Sequence, residues 1–193
     1  SYSLFLDIEK GYEVVKEIDH SDILVNANIE DVRHLYMEMG ILAFFYGDTD
    51  LASFYFNNVI EYQIDDEIDC YALYYLALVF SRKNMNSVAL KYISKAITKS
   101  KNFLQLPVYA LAVMMDYIIT ERTDSEYSAE KYFNALEQLE KFGLTNNHIY
   151  TSLVVPYGVI YDSNLRKGMR VRVEKSMKDA ENLGNKFGLS IAC

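Results

Sequence analysis

Apolar and small residues recur at helical spacing between residues 36 and 96. Steps of three and four residues, which place side chains on one face of an α-helix, join the members of four short sets. The sets are Tyr36, Met39, Gly40 and Ala43; Ala52, Phe56 and Val59; Leu73, Leu76, Ala77 and Phe80; and Ala89, Ile93 and Ala96. A step of 37 residues joins Gly40 to Ala77, and the same step joins Ala52 to Ala89. The pattern therefore predicts two consecutive helical hairpins in a repeating, stacked chain.

Further helical segments extend this organisation over the whole chain. A helix over about 3–19 is expected to cover the first hairpin, and residues 20–29 are expected to connect this helix to that hairpin. The helices predicted after it cover about 30–46, 49–62, 67–82, 86–100 and 105–121. We expect one domain over 1–193, with a capping helix and connector at 1–29 and hairpins at 30–65, 66–104, 105–145 and 146–193.

The third and fourth hairpins are less regular than the first two. The small residues Gly40 and Ala52 are 12 positions apart, whereas the corresponding Ala112 and Ala129 are 17 apart. An insertion of about five residues must therefore lengthen the third turn. In the fourth hairpin, Pro156 predicts a kink or a helix start, because proline removes a backbone donor.

The order of large, small and aromatic positions resembles the tetratricopeptide repeat. The first hairpin carries Tyr36, Met39, Gly40, the turn Gly47-Asp48, Ala52, Phe56 and Val59 on the signature positions, and the second carries Leu73, Leu76, Ala77, Phe80, Ala89, Ile93 and Ala96. Ala43 departs from the family, which commonly has tyrosine there. The resemblance implies an all-α, right-handed superhelix of antiparallel hairpins with about nine helices. The period of 37 residues is similar to the longer variant of bacterial sensors and peptide-pheromone receptors.

The resemblance also implies a ligand surface, since the first helix of each hairpin lines the concave side of such a superhelix. The residues expected on this face are His34, Met37, Ile41, Phe44, Tyr71, Tyr74, Leu78, Tyr109, Val113 and Asp116. The set is mainly apolar and aromatic, and it lacks the lysine, asparagine and arginine residues with which family members grip the terminal carboxylate of chaperone tails. A chaperone tail is therefore not the expected partner.

Two interpretations of this face are open. In the first, a peptide places hydrophobic side chains on Phe44, Tyr74 and Tyr109, because aromatic residues in desolvated pockets carry much of the energy of interfaces. In the second, the chain's own N-terminal helix or a second copy in a homodimer covers the same residues.

Composition and charge limit the fold class and the classes of partner that we expect. Only two prolines and eight glycines interrupt 193 residues, which favours helices. The net charge of −8 disfavours a general nucleic-acid surface, because phosphate binding depends on lysine and arginine. No apolar stretch is long enough to predict a membrane span. Cys70 and Cys193 form no disulfide framework and leave the compartment open between cytoplasm and periplasm. The first residues lack an initiator methionine, so we expect a piece of a longer protein.

Candidate chemistry is sparse. The acidic run at 65–69 lacks the glycine of a calcium-binding loop, so it is expected to place exposed carboxylates at a helix N-terminus. His20, His34 and His148 accompany no nucleophile motif, and no phosphate loop or metalloprotease motif is present. We therefore expect no enzymatic activity, no metal and no cofactor. The basic residues Arg166, Lys167, Arg170, Arg172, Lys175 and Lys178 are expected to form a solvated helix face.

The sequence thus predicts a non-enzymatic protein- or peptide-binding module. The favoured context is the sensor or scaffold domain of a larger bacterial signalling protein, which the resemblance implies. The alternative is the ligand-binding domain of a peptide-sensing transcription regulator.

Overall fold

The computed structural model describes residues 8–17, 27–121, 130–143 and, in part, 170–181. Bounds are described for seven α-helices and one short 3₁₀-helix, Lys101–Phe103; the described residues of 170–181 are also helical, and no described residue is in a β-strand. The α-helices are α1 Ile8–Glu17, α2 Ile29–Tyr46, α3 Thr49–Glu61, α4 Glu67–Arg82, α5 Asn86–Ser100, α6 Val108–Glu121 and α7 Glu130–Lys141. The predicted all-α class is confirmed for the part of the chain that is described.

The chain divides into two compact units, Ser1–Tyr127 and Ser128–Cys193. The first unit contains α1 to α6, and the second contains α7. The boundary falls in the segment where the third hairpin is predicted to have a lengthened turn. Most of that turn, Pro156 and nearly all of the fourth predicted hairpin lie outside the described residues.

The ends of α2 to α5 agree with the predicted helices to within one residue. Helix α6 departs further from the prediction, since it begins at Val108 rather than near 105. Pro107 explains the later start, because the residue before a proline avoids helical backbone angles while proline itself fits at a helix N-terminus. Its carbonyl accepts a hydrogen bond from Leu111 N at 3.0 Å.

Successive helices of the first unit pack against each other. Each of α2 to α5 contacts the helix that follows it, and the first helices of neighbouring hairpins are also in contact, α2 with α4 and α4 with α6. The α2–α3 pair is antiparallel, since Arg33 near the start of α2 reaches the carbonyl of Val59 near the end of α3. Most side chains of α4 are buried, so this helix lies inside the unit.

The turn between α2 and α3 is stabilised at both helix ends. Gly47 follows α2 with φ of 104°, a left-handed angle that favours glycine, and its N–H donates to Ala43 O at 3.0 Å. Asp48 then caps α3, its Oδ1 accepting from Leu51 N at 3.0 Å. The predicted Gly47-Asp48 turn is therefore present, with a separate capping role for each residue.

Helix α1 lies against α2, with Tyr12 and Val15 buried. The Tyr12 ring stacks on Tyr46 with centroids 3.7 Å apart, and its hydroxyl donates to Asp48 Oδ2 at 2.6 Å. That hydrogen bond is the main reason the pKa of Tyr12 is raised to about 12 and that of Asp48 is lowered. The N-terminal helix is thus attached to the same aspartate that caps α3.

Candidate functional site

The ten residues predicted on the ligand face lie on α2, α4 and α6, three helices that contact one another in that order. The structure places them at different depths. His34 is exposed, whereas Met37, Phe44 and Tyr74 are buried. Six are half-buried and keep some surface, namely Ile41, Tyr71, Leu78, Tyr109, Val113 and Asp116. The face that a ligand could contact is therefore smaller than the predicted set.

Phe44 is buried because residues distant in sequence cover its ring. The guanidinium of Arg82 lies over the ring, 3.6 Å from its centroid, and Arg82 Nη1 donates to Phe44 O at 2.7 Å. Tyr75 makes an edge contact with the same ring at 5.7 Å. Sequence reasoning missed Arg82, although its position in the last turn of a predicted helix next to aromatic positions was a usable signal.

Tyr74, predicted on the ligand face, is fully buried. It is three positions after Tyr71 and four before Leu78, so the three residues share one side of α4. Its ring meets that of Tyr75 edge-on at 5.5 Å. Among the described residues, the Tyr74 hydroxyl has no hydrogen-bond partner, and burial raises its pKa well above the ordinary value. A buried hydroxyl without a partner is energetically unfavourable.

Five of the half-buried residues are apolar or aromatic, and we call them the apolar row; they come from three helices that contact one another. Ile41 comes from α2, Tyr71 and Leu78 come from α4, and Tyr109 and Val113 come from α6. Burial is also the main reason that the pKa of Tyr71 is raised to about 12, so its phenol is neutral at physiological pH. The row can make apolar contacts and hydrogen bonds, and it holds no group suited to nucleophilic chemistry.

A second cluster, which sequence reasoning did not identify, is a buried ionic network around Arg33. This side chain is 1% exposed. Its Nη1 and Nη2 donate to the two carboxylate oxygens of Asp66 at 2.5 and 2.8 Å, and Nη2 also donates to Asp69 Oδ1 at 2.6 Å. The bidentate arrangement suits the planar guanidinium. Arg33 Nε also donates a hydrogen bond to Val59 O at 3.4 Å.

The acidic run at 65–69 is part of this network, and its expected exposure is wrong for Asp69. The carboxylate of Asp69 is 1% exposed, and its Oδ2 accepts from Asp65 N at 3.0 Å. Asp66 caps α4 by accepting from Asp69 N at 3.1 Å. Lys99 on α5 pairs with Asp65 and lies 3.6 Å from Asp69 Oδ2. Through Arg33, Asp66 and Asp69 join the second hairpin to α2, whereas Asp65 and Glu67 of the same run are exposed.

The network predicts a dependence of stability on pH. The hydrogen bond from Arg33 is the largest cause that lowers the pKa of Asp66 below its ordinary value near 3.9. A carboxylate whose pKa is lower in the folded state stabilises the fold above the unfolded pKa and loses this contribution as the pH falls through the folded value. Asp66→Asn keeps a capping side chain but removes the charge. We expect this variant to be less stable than the wild type at pH 7, and the difference should shrink as the pH falls below the ordinary carboxylate pKa toward the lowered pKa of Asp66.

Urea denaturation at several pH values checks this expectation. Asp31→Asn is the control, since Asp31 is exposed and its partner is the neighbouring Asn28 side chain. A stability difference for Asp66→Asn that stays constant from pH 7 to pH 3 would contradict the role given to its charge.

The described residues include one cysteine and no cluster of metal-ligating side chains. Cys70 is buried, and burial is the main reason its pKa is raised to about 11, which disfavours the reactive thiolate. No group of three or more histidine, cysteine, aspartate or glutamate residues in the described part could hold a metal ion. His20, His148 and Cys193 lie outside that part.

The predicted basic face is described only in part. Arg170 pairs with Glu174 at 2.8 Å, and Arg172 pairs with Glu140 at 2.6 Å. Lys175 and Lys178 are exposed. Arg166 and Lys167 lie outside the described residues.

Comparisons with known proteins find no family model, no curated protein and no solved structure that matches this chain. Within the described residues, no helix has both the length and the apolar character needed to cross a membrane.

Proposed function

We propose that this chain is a protein- or peptide-binding module and that the face of α2, α4 and α6 is its binding surface. The observation that supports the proposal is the row of half-buried apolar side chains on three contacting helices, with Tyr71 and Leu78 at its centre. The resemblance to tetratricopeptide repeats suggests that such a module serves as the sensor or scaffold domain of a larger bacterial signalling protein. The proposal involves no catalytic step.

The physical case depends on what these side chains gain from a ligand. A half-buried tyrosine or leucine still exposes apolar surface, and covering it gains about 25 cal/mol for each Å² removed from water. The same helices carry the buried residues Tyr74 and Phe44, whose rings both pack against Tyr75 in the core. A surface that is already ordered loses little conformational entropy on binding. An extended or helical peptide with apolar side chains fits these requirements.

The test is a matched pair of substitutions. Leu78→Ser removes an apolar contact from the face, whereas Leu104→Ser removes one from an exposed position, 59% accessible, outside it. The probe is a mixed pool of labelled dodecapeptides in which varied apolar residues alternate with varied polar ones, and fluorescence anisotropy measures the affinity. We expect Leu78→Ser to weaken binding of the peptides selected by the wild type about tenfold, as is typical at the centre of an interface.

Leu104→Ser should bind these peptides as the wild type does. Circular dichroism and thermal denaturation of both variants check that the fold is kept. The proposal fails if the wild type selects no peptide from the pool, or if the two leucine variants bind equally well.

A further inference from the structure

We propose that a second surface, on α4 and α5, binds an acidic segment of a partner protein in which aspartate or glutamate lies next to apolar residues. We call this surface the aromatic–lysine cluster, and its members are Phe80, Lys83, Lys91, Tyr92 and Lys95. It is distinct from the apolar row. Phe80 is two positions after Leu78, so about 200° of rotation around α4 separates the two side chains.

The centre of the cluster is a pair of stacked rings from two helices. The ring centroids of Phe80, near the end of α4, and Tyr92, in α5, are 5.3 Å apart, and the ring planes are inclined by 4°. Both side chains are half-buried, so each ring packs on the other and keeps some exposed surface. An aromatic surface that is already ordered can contact the apolar side chains of a ligand at little entropic cost.

Two ammonium groups lie near these rings. Lys83 Nζ, just after α4, is 5.9 Å from the centroid of Phe80, and Lys95 Nζ is 5.9 Å from the centroid of Tyr92. Lys91 is exposed and lies four positions before Lys95, which places both lysines on one side of α5. Positive charge and aromatic surface therefore occur together on the α4–α5 pair.

The chain leaves two of these lysines without a counter-ion. Among the described residues, neither Lys91 nor Lys95 forms an ion pair, whereas Lys99, one turn further along α5, pairs with Asp65. Helix α5 has no aspartate or glutamate of its own. Like charges four positions apart on a helix repel each other, so a ligand carboxylate near Lys91 and Lys95 would relieve that repulsion. The helix is thus basic, although the chain has a net charge of −8.

Lys83 has a counter-ion that a ligand could replace. It pairs with Asp50 at 2.5 Å, but the Asp50 side chain is 91% exposed. An ion pair that is this open to water contributes little to stability, so exchanging its carboxylate for that of a ligand costs little. All three lysines of the cluster are therefore available to an acidic partner.

The size of the cluster favours a short acidic peptide over a nucleic acid. A duplex binds through many lysine and arginine contacts to its phosphates. The cluster has three lysines, and the net charge of −8 repels the rest of a long polyanion. An acidic peptide can place carboxylates on the lysines and an apolar side chain on the rings without extending over the rest of the chain.

The experiment compares two labelled peptide pools that differ only in charge. Dodecapeptides with varied apolar residues at alternate positions carry aspartate and glutamate at the others in the acidic pool, and asparagine and glutamine in the amide pool. Fluorescence anisotropy measures the affinity of the whole chain for each pool. We expect the wild type to bind the acidic pool at least about fivefold more tightly. This ratio should fall towards one at high salt, because Lys91 and Lys95 are exposed.

Matched lysine variants locate the preference. Lys91→Gln with Lys95→Gln should bring the ratio of the two affinities close to one. The control, Lys16→Gln with Lys175→Gln, removes the same charge from exposed positions outside the cluster and should keep the wild-type ratio. Lys16 is a close match for Lys95, since its Nζ lies 5.2 Å from the centroid of another ring, that of Tyr12.

Tyr92→Leu tests the role of the rings. It keeps an apolar side chain but removes the ring stacked on Phe80, and we expect it to weaken binding of the acidic pool at least about threefold. Circular dichroism and thermal denaturation check that the variant is folded. Wild-type affinity of the folded variant would show that the stacked rings take no part in binding.

The outcomes separate this proposal from the binding function of the apolar row. Leu78→Ser should weaken both pools by the same factor and leave their ratio unchanged. If neither pool binds, if the two pools bind equally well, or if both lysine double variants give the same ratio, the cluster is not a site for acidic peptides.

Two further measurements test the class of partner. A labelled DNA duplex should bind more weakly than the acidic pool, and tighter binding of the duplex would overturn the choice of a peptide. Sedimentation velocity should show no dimer that depends on Lys91 and Lys95. A dimer that Lys91→Gln with Lys95→Gln dissociates would mean that a second copy of the chain, and not a partner peptide, occupies the cluster.

Discussion

Replacing Arg33 by alanine is expected to lower the free energy of unfolding by about 3–5 kcal/mol, the usual cost of leaving a buried charge without its partner. Asp69 is as deeply buried as Arg33, and Asp66 depends on the guanidinium for two hydrogen bonds. The variant would therefore leave two carboxylates facing each other at the junction of the first two hairpins. Urea or guanidinium denaturation followed by circular dichroism measures the loss.

Lys83→Ala is the matched control for that result. Lys83 also pairs with an aspartate, Asp50, but the Asp50 side chain is 91% exposed, so the ion pair is screened by water. Its loss should cost no more than about 1 kcal/mol. Equal effects of the two substitutions would mean that the buried network contributes no more than a surface ion pair.

Gly40→Leu is expected to destabilise the protein by about 3 kcal/mol, at the upper end of the range for overpacked cores. A Cβ atom on Gly40 would lie 2.6 Å from Phe56 Cε1, a distance that the buried Phe56 ring cannot relieve without moving other core residues. Leucine adds three more carbon atoms in the same direction. Thermal denaturation measures the effect as a lower melting temperature.

Alanine substitutions at Gly40 and Gly11 test whether the close approach of Gly40 to Phe56 requires glycine. Gly40→Ala introduces the clash with Phe56, whereas Gly11→Ala brings a Cβ to 3.1 Å from Leu42 Cδ2, the flexible end of a side chain. Both changes gain about 1 kcal/mol of helix propensity. We expect Gly11→Ala to be neutral or stabilising and Gly40→Ala to be destabilising. A wild-type melting temperature for Gly40→Ala would contradict the close packing of α2 on α3.

The helices of the first two hairpins could be predicted from sequence because their signals are local. Apolar spacing, the Gly47-Asp48 turn and the acidic residues before α4 all act within a few positions of the element they define. The start of α6 was predicted less well, since Pro107 moved it by three residues. Signals that are this local do not report how helices from different hairpins meet.

The candidate site was predictable only as a set of helices. The resemblance to tetratricopeptide repeats implied that Phe44 and Tyr74 share a ligand face with Leu78, but it could not show that Phe44 and Tyr74 are buried. Their depth depends on neighbours such as Arg82, which is 38 positions after Phe44. The Arg33 network was missed for the same reason, because its partners Asp66 and Asp69 are 33 and 36 positions away.

By itself, the sequence determined the all-α class and the helices of the first two hairpins. Helical periodicity is sufficient for these properties because it depends on residues three and four positions apart. Only the tertiary structure decided which apolar side chains keep exposed surface, which carboxylates are paired and, among the described residues, which buried hydroxyl has no partner. Burial and charge pairing are properties of contacts between hairpins, and the free energy of those contacts is set by the packed chain as a whole.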